Sequence, residues 1–507
     1  MEITMEKQRI TLESKASEEV LEQAVDNEIM LPEFCGNMAR ILKCRAKAKI
    51  ISKRIVNSVL NIDGNVFLTV FYIDEEGCLK TFDQTLTFYR EMNLDRDKEF
   101  YPSVKCKIEH MGCRMVSARK IELHGCLSLT VSLFEMQTEE CVKSVAENDV
   151  QLCSEQKDIT VTVGCTEKYT AITDEIELDE STEPITCILR SDGIVEYADC
   201  KTMAGKVIVK GELYVTVCYL TDRKNRVDKT DCVIPFTQIV DMAQADEDCF
   251  ARAKCEITAL DVRTKTGFDG DVRTLSVSAG INTEISLCKN VSLMYAADAY
   301  SVKNELKAES KCKCFEKCLS EVKENFTHGY NFDFGTEISS ILDIFGDAAV
   351  TEVRNTESGI SVLGTVQICV VACDGDMSTV YFEKNVDFSH EICRDNSSSL
   401  KFSPEICIKS FGCELSQSSA KINVNMTLTG CLYESVEVKM LTDITVDEKE
   451  QSAAERRPAL MLYYCGEEEK VFEIARRYKT TVEAVKSANG FETDEIPKDS
   501  VVLIPVV

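Results

Sequence analysis

Cys312-Lys-Cys314-Phe-Glu-Lys-Cys318 is the stretch of this chain best suited to metal chemistry, because three thiolates supply most of a tetrahedral zinc shell. A fourth ligand is unassigned. The competing reading is packing: positions 312, 314 and 318 share parity, so a strand would put all three on one buried face as small apolar groups. Packing is favoured, and no metal is expected. Asp269-Gly-Asp271 and Asp374-Gly-Asp376 would suit a divalent cation, yet neither continues as an EF-hand loop, and turn chemistry accounts for both. His110, His124, His328 and His390 form no triad and no His-x-x-x-His pair. No Gly-Lys-Ser/Thr phosphate loop is present either. The chain is therefore expected to be noncatalytic, with no catalytic residues and no cofactor of its own.

The elements that carry these residues follow from composition and repetition. With 507 residues, three or four domains are expected. Apolar residues at 44% and charged residues at 28% are globular values that exclude a disordered or collagen-like chain. The 86 acidic against 58 basic side chains leave a net charge of −28, which disfavours nucleic acid and anionic membrane surfaces as partners. The first ten residues alternate charge with apolar groups, so no secretory signal is expected. The longest apolar run, Val366 to Cys373, is far short of the roughly 20 residues of a spanning helix. The 26 cysteines are then read mostly as reduced core thiols.

One unit recurs three times. Gly64-Asn-Val-Phe-Leu-Thr-Val-Phe-Tyr72 matches Gly211-Glu-Leu-Tyr-Val-Thr-Val-Cys-Tyr219 and, more loosely, Gly364-Thr-Val-Gln-Ile-Cys-Val-Val-Ala372, at offsets of 147 and 153 residues. Ile41-Leu42, Ile188-Leu189 and Ile341-Leu342 lie 23 residues before each glycine; Phe88, Phe236 and Phe388 lie 24, 25 and 24 after it. Cys106, Cys255 and Cys407 follow those phenylalanines by 18, 19 and 19 residues, a recurrence that packing explains better than one shared metal site. A third block alternates at period two: Ile121 to Leu129, Leu275 to Thr283 and Ile422 to Gly430. The second copy is longer by about six residues, placed as a loop insertion near Gly267–Gly270.

Period-two alternation with β-branched and aromatic residues means strands, and turn clusters between them predict two packed sheets or a barrel. The fold class is mainly β: three tandem β-sandwich or barrel-like repeats, residues 1–150, 151–300 and 301–446, plus a small α+β module at 459–507 after a charged linker at 447–458. Polar connections are expected at Met136–Lys157 and Ser286–Asn304. In the last module a short strand at Leu462–Cys465 leads to a helix over Val471–Tyr478, then a helix capped by Thr481 and closed by Asn489-Gly490, then a strand over Val501–Pro505.

Leu462-Tyr-Tyr, Phe472-Glu-Ile-Ala-Arg-Arg-Tyr478, Thr480-Thr-Val-Glu483, Ala488-Asn489 and Val502-Leu-Ile-Pro505 resemble a LysM domain nearly end to end. The Gly-Asp-Thr usual before the first LysM helix is replaced by Glu468-Glu469-Lys470, and Asp499 stands where a turn glycine is common. The resemblance implies a binding region in two acidic loops: Gly466, Glu467, Glu468, Glu469 and Lys470 in one, Asn489, Gly490, Phe491 and Glu492 in the other. The long repeats resemble the SPOCS domain, and the whole arrangement is similar to the SipL-like family of spore-coat morphogenetic proteins. That resemblance implies a noncatalytic structural adaptor in the mother-cell cytoplasm, at the forespore surface, which tethers the coat by binding a basement-layer ATPase and other coat proteins. The alternative it leaves open is a LysM protein that binds peptidoglycan or GlcNAc glycan of the cortex or cell wall.

Overall fold

The computed structural model describes residues 3–505 apart from 96–97, 180, 222–225, 267–271, 394–399, 448–459, 467–468 and 498–499. The linker at 447–458, beyond its first residue, the insertion near Gly267 and the Asp269-Gly-Asp271 pair thus lie outside the described residues.

The chain folds as six strands, repeated three times. The first set is β1 (Met5–Met30), β2 (Met38–Val56), β3 (Val59–Asp74), β4 (Leu79–Asn93), β5 (Tyr101–Ser117) and β6 (Lys120–Val145). The second is β7 (Val150–Glu177), β8 (Ile185–Met203), β9 (Lys206–Thr221), β10 (Val227–Asp241), β11 (Cys249–Lys265) and β12 (Thr274–Ser301). The third is β13 (Glu305–Asp333), β14 (Ile338–Thr356), β15 (Gly359–Asp374), β16 (Thr379–Cys393), β17 (Leu400–Leu415) and β18 (Ser419–Asp447). Each unit has two antiparallel sheets of three strands, ordered β1-β6-β5 and β2-β3-β4 in the first, with β2 packed beside β5. The mainly-β expectation holds.

The repeated motif occupies the middle strand of one sheet in each unit. Val66, Leu68, Val70 and Tyr72 of β3 are all buried, as are Leu213, Val215, Val217 and Tyr219 of β9 and Val366, Ile368, Val370 and Ala372 of β15. The alternating block fills the facing sheet from β6, β12 and β18. Each unit closes its own core between these two sheets.

Of the polar connections expected at Met136–Lys157 and Ser286–Asn304, only 146–149 and 302–304 are turns; the rest is strand, the ends of β6, β7 and β12. These strands are 26, 28 and 28 residues long, against about 5–6 for an ordinary strand. Their polar residues point outward while Cys141, Ile159, Leu293 and Tyr295 turn inward, into a cluster shared with Phe315, Val438 and Met440 of the third unit. Bulges at Leu287/Cys288 and Ala296/Asp298 let β12 serve its own core at one end and the shared one at the other.

A second shared cluster joins the units at the opposite end. In each Ile-Leu pair the isoleucine packs on its own core, whereas Leu42, Leu189 and Leu342 meet with Phe71, Cys218 and Val371. Phe71 stacks on Phe345 at 5.2 Å between centroids. These two hubs, with a further shared cluster of Val142, Ala296, Ala299, Leu441 and Ile444, hold three units around an interior of about 1700 Å³ lined by both charged and apolar groups.

After the third unit come β19 (Leu460–Tyr464), α1 (Val471–Tyr478), α2 (Val482–Asn489) and β20 (Val501–Pro505), with β19 and β20 antiparallel. Thr481 caps α2 by accepting from the Ala484 amide at 3.2 Å, and Gly490 ends it at φ 69°. The strand-helix-helix-strand order is as expected.

Candidate interaction site

Two loops of the C-terminal module were singled out as a binding region, and the fold brings them together. Lys470 forms a β-bridge with Glu495, and the Val471 amide donates to the Asp494 carbonyl at 2.9 Å. Glu467 and Glu468 lie outside the described residues. Glu469 is committed internally: its carboxylate accepts from the Gly466 amide at 3.0 Å, from Tyr463 Oη at 2.9 Å and from Arg477 Nη2 at 3.0 Å. The Gly466 amide, with Tyr463 and Arg477 behind it, holds this carboxyl below its ordinary range. Asn489 is also structural, because its amide donates to the Val485 and Leu503 carbonyls at 2.7 Å and its oxygen accepts from the Leu503 amide at 2.7 Å. Phe491 packs on the module core, while Glu492 is exposed. Four of the candidate residues thus build the loops: Glu469, Asn489, Gly490 and Phe491.

The module is seated on the β assembly by one face. Tyr300 at the end of β12 donates to the Thr480 carbonyl at 2.7 Å and meets the Phe472 ring edge-on at 5.2 Å. Arg476 pairs with Asp298, and Lys479 with Glu305 at 3.0 Å. On the far side, Leu460, Leu462 and Tyr464 alternate outward from β19 and are 55%, 64% and 77% exposed, with Val501 of β20 opposite Tyr464. That apolar face was not singled out from sequence. Its signal is the Leu-x-Leu-x-Tyr alternation from Leu460, of which the strand expected at Leu462–Cys465 covers only a part.

The interior between the units is lined by charge. Lys43, Arg190 and Asp343 stand two residues beyond the three Ile-Leu isoleucines, and Arg45, Asp192 and Phe345 stand four beyond. Arg190 clamps Asp343 with two bonds, Nε to Oδ2 at 2.7 Å and Nη2 to Oδ1 at 2.8 Å, and also pairs with Asp192. Arg45 and Lys47 reach Asp192 from the first unit at 2.7 Å each. Burial alone would raise Asp192, but Lys47, Arg45 and Arg190 outweigh it and hold the carboxyl far below its usual range. On the same lining Glu196 of the second unit takes Lys323 and Lys409 of the third, and beside the first hub Glu139 of the first unit takes Lys311 and Lys313 of the third.

The remaining chemical candidates are dispersed. Cys312 and Cys314 are exposed rather than buried, because Phe315 is the residue that β13 turns inward there, leaving the even positions outside. Cys318, beside a bulge, is half-buried. Among the described residues every cysteine is a free thiol; eight are buried, four are exposed, and the rest are half-buried. Cys106, Cys255 and Cys407 rim the central interior. Asp374 closes the β15–β16 turn, its carboxylate accepting from the Asp376 and Ser378 amides at 3.0 and 2.8 Å, which is turn chemistry. His124 pairs with Asp26, and His390 pairs with Glu324 at 2.7 Å and stacks on Phe326. His328 meets Phe326 edge-on, and His110 lines the interior.

Comparison with known families bears on the β units. Residues 37–116 and 184–265 match the family described as SipL, SPOCS domain. These segments span β2–β5 and β8–β11, so the match supports a SipL-like, sporulation-related kinship for the first two units. It reaches neither the third unit nor the C-terminal module. No curated protein and no solved structure matches the chain.

Proposed function

We propose that this chain is a noncatalytic structural adaptor of the endospore coat, working in the mother-cell cytoplasm at the forespore surface. The observation that carries the proposal is the pair of SPOCS matches, in a chain whose three β units share buried apolar clusters. SPOCS is a structural coat family, and an assembly of this kind suits a scaffold. The C-terminal module, in this reading a LysM domain turned to protein contact, binds the basement-layer ATPase; coat proteins engage the β units. Support for protein contact is the apolar strand face of Leu460, Leu462 and Tyr464, since exposed contiguous apolar surface marks interaction sites.

The glycan reading draws on the approach of the two loops through Lys470 and Glu495. Calorimetry on the full chain distinguishes the two. Saturable binding of the coat ATPase, lost in Leu462→Glu and unaffected by peptidoglycan fragments, is the expected result. Binding of peptidoglycan fragments with none to the ATPase would replace the adaptor with a wall-binding protein.

A further inference from the structure

Where the third unit meets the second, two thiols face each other beside a half-buried cation. Cys318 of β13 and Cys431 of β18 are within hydrogen-bond reach through their side chains. The bulge at Leu319 sets them on adjacent strands, Cys318 opposite Tyr433 and Glu321 opposite Cys431, so the two side chains lie on one diagonal. The second unit completes the site. Thr160 of β7 accepts from the Cys318 amide at 2.8 Å. Arg252 of β11 lies 5.5 Å over the Tyr433 ring; its Nε has no partner, and among the described residues no carboxylate pairs with it. Cys431, Tyr433 and Arg252 line the central interior, which brings small solutes to the Cys431 side of the pair, and Cys318 is half-buried beside it.

The two thiols are unequal. The hydrogen bond from Cys431 brings Cys318 down to about 7, burial works against this, and the Arg252 guanidinium adds to it. Cys431 is pushed above the ordinary thiol range by that same bond and by burial. Arg252, over the ring of the Tyr433 that stands opposite Cys318, favours a thiolate at this pair, the setting of attacking and resolving cysteines.

We infer that Cys318 and Cys431 form a hydroperoxide-sensitive pair that closes to an intrachain disulfide at the seam of the second and third units. The Cys318 thiolate attacks one peroxide oxygen: the S–O bond forms, the O–O bond breaks, and hydroxide leaves and is protonated to water. Cys431 then attacks the sulfenic sulfur and gives up its proton; the S–S bond forms, the S–O bond breaks, and a second water leaves. Two thiols are oxidised and one hydrogen peroxide is reduced to two waters. Nothing in this step depends on the adaptor role.

A second facing pair provides an internal control. Cys44 and Cys113 also interact, but Cys44 sits in the apolar core of the first unit with Lys43 as the nearest cation. Full-length reduced protein is treated with limiting hydrogen peroxide and mapped by mass spectrometry. The Cys318–Cys431 linkage is expected first, with the loss of two hydrogens per chain, and Arg252→Gln should slow it about ten-fold in a chain with unchanged circular dichroism. In Cys431→Ser, dimedone should label Cys318 as the trapped sulfenic acid. Should Arg252→Gln fail to fold, that labelling decides alone. Closure of Cys44–Cys113 first or equally fast, or a folded Cys431→Ser chain unlabelled at Cys318, would overturn the inference.

Discussion

Phe88 lies directly opposite Gly64 on the neighbouring strand, with ring atoms 2.1 to 2.7 Å from the point where a Cβ on residue 64 would stand. Phe236 covers Gly211 and Phe388 covers Gly364 in the same way. The ring fills the space over a residue without a side chain and fixes the register of two strands at once. The recurring glycine-to-phenylalanine spacing of 24, 25 and 24 residues is therefore a single cross-strand contact, made three times.

Substitution at either partner should expose this dependence. Gly64→Ala drives a methyl group into the ring and is expected to cost about 1–3 kcal/mol by overpacking. Phe88→Ala empties a buried site and should cost about 3–5 kcal/mol. In the double variant the new methyl group occupies part of the emptied space, so the cost should be well below the sum. Denaturant melts of the four chains check this; additive costs would mean that the ring and the glycine are energetically independent.

The same contact shows what was legible beforehand. Gly64, Phe88 and the Val66–Tyr72 face were readable because burial on one side of a pleated sheet forces alternation, and the contact keeps the spacing within one residue. The strand ends of β6, β7 and β12 were not, because they are polar outside and bury their inner face against another unit, not their own. The inward turn of Phe315 that leaves Cys312 and Cys314 exposed depends on that same packing. The alignment of Lys43, Arg190 and Asp343 was available in the offsets already noted. Opposite charges at one repeat position are what a contact between repeats requires, since three identical copies would oppose like charges.

Arg190 and Asp343 are both buried, with side chains 4% and 6% exposed. Removing one partner strands the other charge in the interior, so Asp343→Leu alone should cost about 3–5 kcal/mol. Arg190→Met with Asp343→Leu restores an apolar contact beside Phe345 and is expected to recover most of that loss, although Asp192 then keeps only Arg45 and Lys47. Thermal melts of both chains test this; a double variant no better than the single would place the main role of Arg190 at Asp192.

Acid should separate the units before it unfolds them. Asp192, Glu139, Glu196 and Glu383 each bridge two units, and each is held below its ordinary range by the cations it meets, against the opposing effect of burial. A carboxyl depressed in the folded state contributes stability that is present above its unfolded value, near about 4, and lost as pH falls through the folded value. The assembly should hold at neutral pH and loosen progressively below about pH 4. Small-angle scattering should then show expansion while far-ultraviolet circular dichroism keeps its β signal; collapse of both together would mean that the hubs and the unit cores fail as one.

Cys318 should react with iodoacetamide at neutral pH ahead of Cys312 and Cys314, although those two are more exposed. Its rate should climb through about pH 7, since the thiolate is the nucleophile. A pH series with peptide mapping measures both. If the exposed pair reacts first throughout, access outweighs the thiolate population.

The seat of the C-terminal module rests on Tyr300, which is 6% exposed and makes both the Thr480 hydrogen bond and the Phe472 ring contact. The flanking pairs Arg476–Asp298 and Lys479–Glu305 are solvent-exposed, and pairs of that kind contribute little. Tyr300→Ala should therefore cost about 3–5 kcal/mol of docking, whereas Tyr300→Phe keeps the ring and loses about 1 kcal/mol with the hydroxyl. Hydrogen exchange locates the effect: amides of α1 and α2 should exchange faster in Tyr300→Ala, with the strands of the three β units unchanged and Asp298→Asn close to the parent chain. If Asp298→Asn loosens α1 and α2 as much as Tyr300→Ala does, the module is held by charge, and its seat should weaken with salt in a way that an aromatic contact would not.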